Sequence, residues 1–140
     1  MPGFTPYRTA AEIEEVVRRF EACEYTPEEF VHARHLTVAA YYFWQSDRGT
    51  AEKRMRAGLR KFIVHHGKDG YHETITGFWL HMAGRDSGAR IRREEMVVFV
   101  NDVVARLSDK DLIYEYFSKL RLYSPEAKAA WAEPDLKALP

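Results

Sequence analysis

Residues 26–45 read TPEEFVHARHLTVAAYYFWQ and carry the strongest signal for the fold class. Thr26 and Glu29 have the spacing of a capping box, in which each side chain satisfies a free backbone N–H group at a helix start. Pro27 then occupies the first helical position, where its missing N–H group has no partner to lose. Apolar residues follow at intervals of three and four positions, as one face of a helix requires. The stretch therefore predicts a helix over residues 27–45.

The same signals continue along the rest of the chain. Further helix starts are predicted at Thr9, Ser108 and Ser124, because an acidic residue follows each of them within three positions. Gly67 is predicted to close a helix in the left-handed conformation that glycine adopts readily. The apolar spacing predicts additional helices over residues 10–22, 50–66, 70–85, 90–107 and 112–120, and residues 127–132 are expected to add one or two turns.

Residues 96–100 are the segment whose composition also suits a strand. They read MVVFV, and β-branched residues favour strands. No second strand is predicted to pair with them, and a strand without a partner is not stable, so we predict a helix here as well. The chain is therefore expected to form an all-α, single-domain helical bundle of about five to six helices. This domain covers residues 1–140, with extended tails at 1–8 and 134–140.

The apolar faces of these helices predict the hydrophobic core. A helix at the surface of a small domain turns one apolar stripe towards its neighbours and leaves its polar face in water. The residues expected to be mostly buried are Val31, Leu36, Leu59, Phe62, Phe78, Trp79, Met96, Val100 and Val104.

Composition and charge limit the partners of this protein. The 140 residues include 21 basic and 21 acidic side chains, so the net charge is zero and no overall basic field favours nucleic acid. No run approaches the roughly 18 apolar residues of a membrane span. The single cysteine, Cys23, cannot form an internal disulfide, which is typical of a reducing compartment, and we expect a cytoplasmic protein. The sequence leaves the formation of a homo-oligomer open.

Histidines supply the candidate chemistry. Three of the six, His35, His66 and His72, lie on helix stripes that face the predicted core. His32 lies one helical turn before His35, and Glu73 directly follows His72. A single histidine on an apolar face is more often a hydrogen-bonded core residue, but three of them in one small domain predict a shared site.

Two chemistries are open to such a site. Imidazole and carboxylate groups are ligands for divalent transition metals, and the candidate metal ligands are His35, His66 and His72, with His32 as a fourth. Without a metal, the same groups act as general acid and base, because histidine titrates near neutral pH. The candidate catalytic residues are then His72, Glu73 and His35.

Aromatic and polar side chains close to these histidines predict contacts with a substrate. Tyr42 and Trp79 lie one or two helical turns from the histidines, and Thr76 lies one turn after His72. Aromatic walls with a few polar groups are typical of small-molecule pockets. The predicted substrate-binding residues are Tyr42, Trp79 and Thr76.

Four segments of the chain have a recognisable pattern. They are FVHARH at 30–35, HG at 66–67, YHETIT at 71–76 and EPDLK at 133–137. Together they resemble a family of small, uncharacterised bacterial helical proteins that carry Phe-Thr-His-x-x-His, Ala-His-Gly and Tyr-His-Glu-Thr-Ile-Thr segments in this order. Val31 stands where the family has threonine, and His65 where it has alanine. The resemblance implies a bacterial, all-helical protein in which His32, His35, His66, His72 and Glu73 belong to one site, and it implies no particular activity.

Three functions are compatible with these observations. The first is a small-molecule enzyme whose metal activates water or dioxygen. The second is a metal-free lyase or isomerase that uses histidine and glutamate in acid–base catalysis. The third is a non-catalytic module that binds a small molecule or acts as a scaffold, in which the histidines form a polar network. All three leave the substrate unidentified.

Overall fold

The computed structural model describes residues 4–85 and 95–140, and every regular element in these ranges is a helix. The predicted all-α class is confirmed, and residues 96–100 are helical, whereas residues 90–94 of the predicted fifth helix lie outside the described ranges. Three short helices follow the fifth one, so the described part of the chain holds more helices than the five to six predicted. The helices are α1 (Ala10–Glu21), α2 (His32–Gln45), α3 (Arg48–His65), α4 (Glu73–Gly84), α5 (Met96–Arg106), the 3-10 helix η1 (Lys110–Glu115), α6 (Lys119–Leu122) and α7 (Pro125–Ala129).

Capping side chains set most of the helix starts. Thr9 Oγ1 accepts the backbone N–H of Glu12 at 3.2 Å, and the Glu12 carboxylate accepts the N–H of Thr9 at 3.1 Å, so the predicted capping box is present at α1. Ser124 caps α7 as predicted. The predicted start at Ser108 is wrong by one residue, because the Asp109 carboxylate caps η1 instead. The predicted helix over 112–120 is divided accordingly between η1 and α6.

The start of α2 differs from the prediction. The capping box at Thr26 forms, but it closes one turn that ends at Phe30, and α2 begins at His32. Val31 lies between them in an extended conformation and is 50% exposed, so its predicted burial is wrong. The Phe30 ring, directly before this interruption, stacks on the Phe20 ring in the core, with 4.6 Å between the ring centroids.

Helix α2 is the central element of the described fold. It packs against α1, α3, α4 and α5. The predicted core residues other than Val31 and Trp79 are buried, and Trp79 is half-buried because its ring lines a cavity. In residues 4–85 and 95–140, no helix has the length and apolar character needed to cross a membrane.

The segments at either end of the chain pack against the helices. Near the N-terminus, the Asn101 side chain pairs with the backbone N–H and carbonyl of Tyr7, both at 2.9 Å. Near the C-terminus, Thr74 Oγ1 donates to the Ala130 carbonyl at 3.0 Å and accepts the N–H of Ala132 at 2.9 Å. Residues 130–132 therefore fix the first turn of α4, which lines the candidate site.

Candidate functional site

A cavity of about 360 Å³ lies among α2, α3, α4 and the connection from α3 to α4. This volume falls at the lower end of the roughly 300–1,000 Å³ that is typical of small-molecule sites. Its apolar walls come from Leu36, Ala39, Met55, Leu59, Ile63, Ile75 and Leu80. Its polar and aromatic lining comes from His32, His35, Tyr71, His72, Thr76, Trp79 and Lys110.

His35 contributes a neutral imidazole to this lining. Its Nδ1 lies 3.1 Å from the Val31 carbonyl oxygen, which can only accept, so Nδ1 carries the proton and Nε2 carries the lone pair. Nε2 has no hydrogen-bond partner among residues 4–85 and 95–140. Burial lowers the pKa of His35 to about 4, because the apolar surroundings disfavour the charged ring. At neutral pH, His35 is therefore a hydrogen-bond acceptor in a mostly apolar wall.

His32 is also hydrogen-bonded to a backbone carbonyl, but through Nε2 instead of Nδ1. Its Nε2 donates to the Leu107 carbonyl at 2.9 Å, which leaves the lone pair on Nδ1. Burial lowers the pKa of His32 as well, although the bond to Leu107 opposes the shift. The ring meets Trp79 edge-on, with 4.5 Å between the ring centroids. The cavity therefore has a second neutral histidine beside an indole wall.

His72 fixes the start of α4. Its Nδ1 accepts the backbone N–H of Ile75 at 3.1 Å, and its Nε2 donates to the Leu122 carbonyl at 2.7 Å. Both ring nitrogens are thus occupied by backbone groups, and the ring must be the neutral Nε2–H tautomer. In this arrangement His72 lines the cavity but offers neither a free lone pair nor a free N–H group to a bound molecule.

Replacement of His72 by alanine is expected to lower the free energy of unfolding by about 2–3 kcal/mol. The variant loses a helix cap and leaves the Leu122 carbonyl without its partner. His72→Asn should recover about half of the loss, because asparagine is a good N-cap residue. Urea unfolding followed by far-UV circular dichroism measures both variants, with His65→Ala at the exposed end of α3 as the control. Equal losses for alanine and asparagine would contradict the capping role.

Glu73 lies beside the cavity and holds a wall residue in place. Its carboxylate accepts the Tyr71 hydroxyl at 2.5 Å and pairs with Arg56 at 3.1 Å and Arg60 at 3.8 Å. Burial, and the bond to Glu73, raise the pKa of Tyr71. The Tyr71 hydroxyl therefore donates its hydrogen bond to Glu73. Towards a molecule in the cavity, the Tyr71 oxygen can act only as a hydrogen-bond acceptor.

Two further predicted site residues lie elsewhere. His66 ends α3 and lines a separate depression of about 340 Å³, where its buried Nε2 has no hydrogen-bond partner among the described residues. Ile63 and Gly70 line both spaces and therefore lie between them. Tyr42 is outside the cavity, and its hydroxyl donates to Glu21 at 2.6 Å. The structure thus brings His32, His35, His72, Thr76 and Trp79 together, but not His66 or Tyr42.

Two polar residues of the cavity were not singled out from the sequence. Tyr71 belongs to the YHETIT segment, and its position directly before His72 is a signal that could have identified it. Lys110 is separated from His72 by 38 positions along the chain, and nothing in the local pattern links it to the histidines. Its place in the lining follows only from the position of η1.

The described residues include no group of three or more histidine, cysteine, aspartate or glutamate side chains arranged to hold a metal ion. The metal centre expected from the sequence stays a prediction. No family model, no curated protein and no solved structure matches the chain. The resemblance to the bacterial family therefore also stays an expectation.

Proposed function

We propose that this protein binds a small, largely apolar molecule that carries a hydrogen-bond donor, and that the binding site is the cavity among α2, α3 and α4. The observation that carries the proposal is the free Nε2 lone pair of the neutral His35 ring in an apolar wall. An acceptor in an apolar cavity wall gains most from a donor on the ligand, because no water competes for it once the cavity is filled.

Two further acceptors in the lining favour the same kind of ligand. His32 Nδ1 and the Tyr71 oxygen are acceptors, since their protons are committed to the Leu107 carbonyl and to Glu73. The Trp79 ring supplies a flat apolar wall next to His32. A hydroxylated aromatic ring, such as a phenol, matches this combination of acceptors and flat apolar surface.

Binding is better supported than proton transfer by His35. A general base works best when its pKa lies near the working pH. The pKa of about 4 makes His35 weaker as a base than free imidazole, by roughly 3 kcal/mol of driving force. The low pKa therefore favours acceptance of a hydrogen bond over removal of a proton. The metal-dependent enzyme and the metal-free lyase or isomerase stay predictions from the sequence.

Titration calorimetry with para-propylphenol and propylbenzene tests the proposal. The two molecules share the ring and the alkyl chain and differ by the hydroxyl donor. We expect the phenol to bind about 10-fold more tightly, which is the value of one hydrogen bond to a buried acceptor. His35→Leu replaces the imidazole by an apolar side chain of similar size and should remove most of this preference, with the acceptors on His32 and Tyr71 left in place.

The control is His65→Gln, which changes an exposed histidine of α3 outside the cavity and should leave the preference unchanged. Equal affinities of the wild-type protein for the two molecules would overturn the role of His35. If neither molecule binds, the proposed function itself is overturned.

A further inference from the structure

We infer that the bound molecule also carries an anionic group, which pairs with the Lys110 ammonium at the edge of the cavity. This inference rests on the proposed function and specifies its ligand as an amphipathic organic acid. The polar donor of such a molecule lies inside, against the histidines, and its acidic group lies outside, against Lys110.

The charges around the cavity support an anion. Lys110 is the only charged side chain among the described lining residues, and no carboxylate lines the cavity with it. Lys110 is exposed, and its ammonium has no ion-pair or hydrogen-bond partner within the described part of the chain. The neighbouring Asp109 carboxylate does not line the cavity and accepts the N–H of Asp111 at 3.0 Å, although its charge acts on His32 in the sense opposite to that of Lys110. An organic anion therefore meets one unpaired positive charge at this edge.

The position of Lys110 also matches the two ends of such a ligand. Lys110 begins η1, shortly after Leu107, whose carbonyl holds the His32 ring. Its charge acts on His32 and contributes, after burial, to the low pKa of that ring. The ammonium is thus close enough to the polar lining for one small molecule to contact both.

A matched pair of probes tests the inference. Para-hydroxyphenylpropanoic acid differs from para-propylphenol by a carboxylate in place of the terminal methyl group. At low ionic strength, we expect the wild-type protein to bind the acid about 5-fold more tightly than the phenol, and added salt should reduce this difference. Lys110→Met keeps the apolar stem of the side chain, removes the charge, and should reverse the preference.

The control is Lys68→Met, which removes one positive charge at the edge of the separate depression near His66. It should leave the preference for the acid unchanged, because Lys68 does not line the cavity. If the phenol binds and the acid binds more weakly to the wild-type protein, the inference fails and the proposed function stands. An unchanged preference in Lys110→Met would also overturn it. Absence of binding by both probes overturns the two together.

Discussion

Replacement of Phe62 by alanine is expected to lower the free energy of unfolding by about 3–5 kcal/mol, the range of large-to-small changes at buried phenylalanines. Phe62 is 6% exposed, and its ring lies 5.2 Å from that of Phe30 and 5.9 Å from that of Phe20. It also packs against His66, with 4.5 Å between the ring centroids. The three neighbours come from α1, from the turn before α2 and from the end of α3, so they cannot all move in to fill the space.

Denaturant unfolding at neutral pH measures this loss. Val64→Ala provides the control on the same helix, because Val64 is 74% exposed and its truncation should change the free energy of unfolding by less than about 0.5 kcal/mol. A loss below about 1 kcal/mol for Phe62→Ala would show that α3 contributes little to the core.

The second large effect is a loss of stability in mild acid. His35 has a pKa of about 4 in the folded protein and 6.5 as a free side chain, so the unfolded chain binds the proton more tightly. The free energy of unfolding therefore falls as the pH is lowered from 6.5 towards 4. The loss that His35 causes over this window amounts to roughly 3 kcal/mol. The lowered pKa of His32 acts in the same direction.

Urea unfolding at a series of pH values between 6.5 and 4 checks the sign and the size of this effect. His35→Leu should flatten the dependence of the unfolding free energy on pH, whatever its effect on stability at neutral pH. His65→Gln provides the matched exposed control. Equal slopes for the wild-type protein and His35→Leu would contradict the low pKa of His35.

The fold class could be predicted because local signals agree with one another in most of the chain. The capping box at Thr9 and the left-handed Gly67 (φ +68°) act within a few residues, and both occur as predicted. The break before α2 could not be predicted from the same rules. Its capping box at Thr26 is genuine, but the turn ends at Phe30, whose ring packs against Phe20 in a tertiary contact that local rules do not include.

The candidate site was only partly visible in the sequence for a similar reason. Helical spacing places His32 and His35 together, and the order of the segments brings His72 near them. The same reasoning did not anticipate that Ile63 would lie between the cavity and His66. The spacing also did not indicate that the Leu122 carbonyl, 50 positions from His72, would accept a hydrogen bond from the His72 ring. Spacing specifies a face of one helix, whereas the partners of that face depend on the whole fold.

The bonds that fix α4 have a consequence for the time at which the cavity is completed during synthesis. The hydrogen bond of His72 cannot form until Leu122 has been synthesised, 50 positions later. Those of Thr74 require Ala130 and Ala132, which lie 56 and 58 positions later. At about 5–20 residues per second, translation of this interval takes about 3–12 seconds. During that time the apolar side chains of α4 lack part of their cover, and this is the period in which a nascent chain is most exposed to aggregation and to chaperones. Helix α4 is therefore synthesised well before Leu122, Ala130 and Ala132, the residues whose backbone groups fix its first turn.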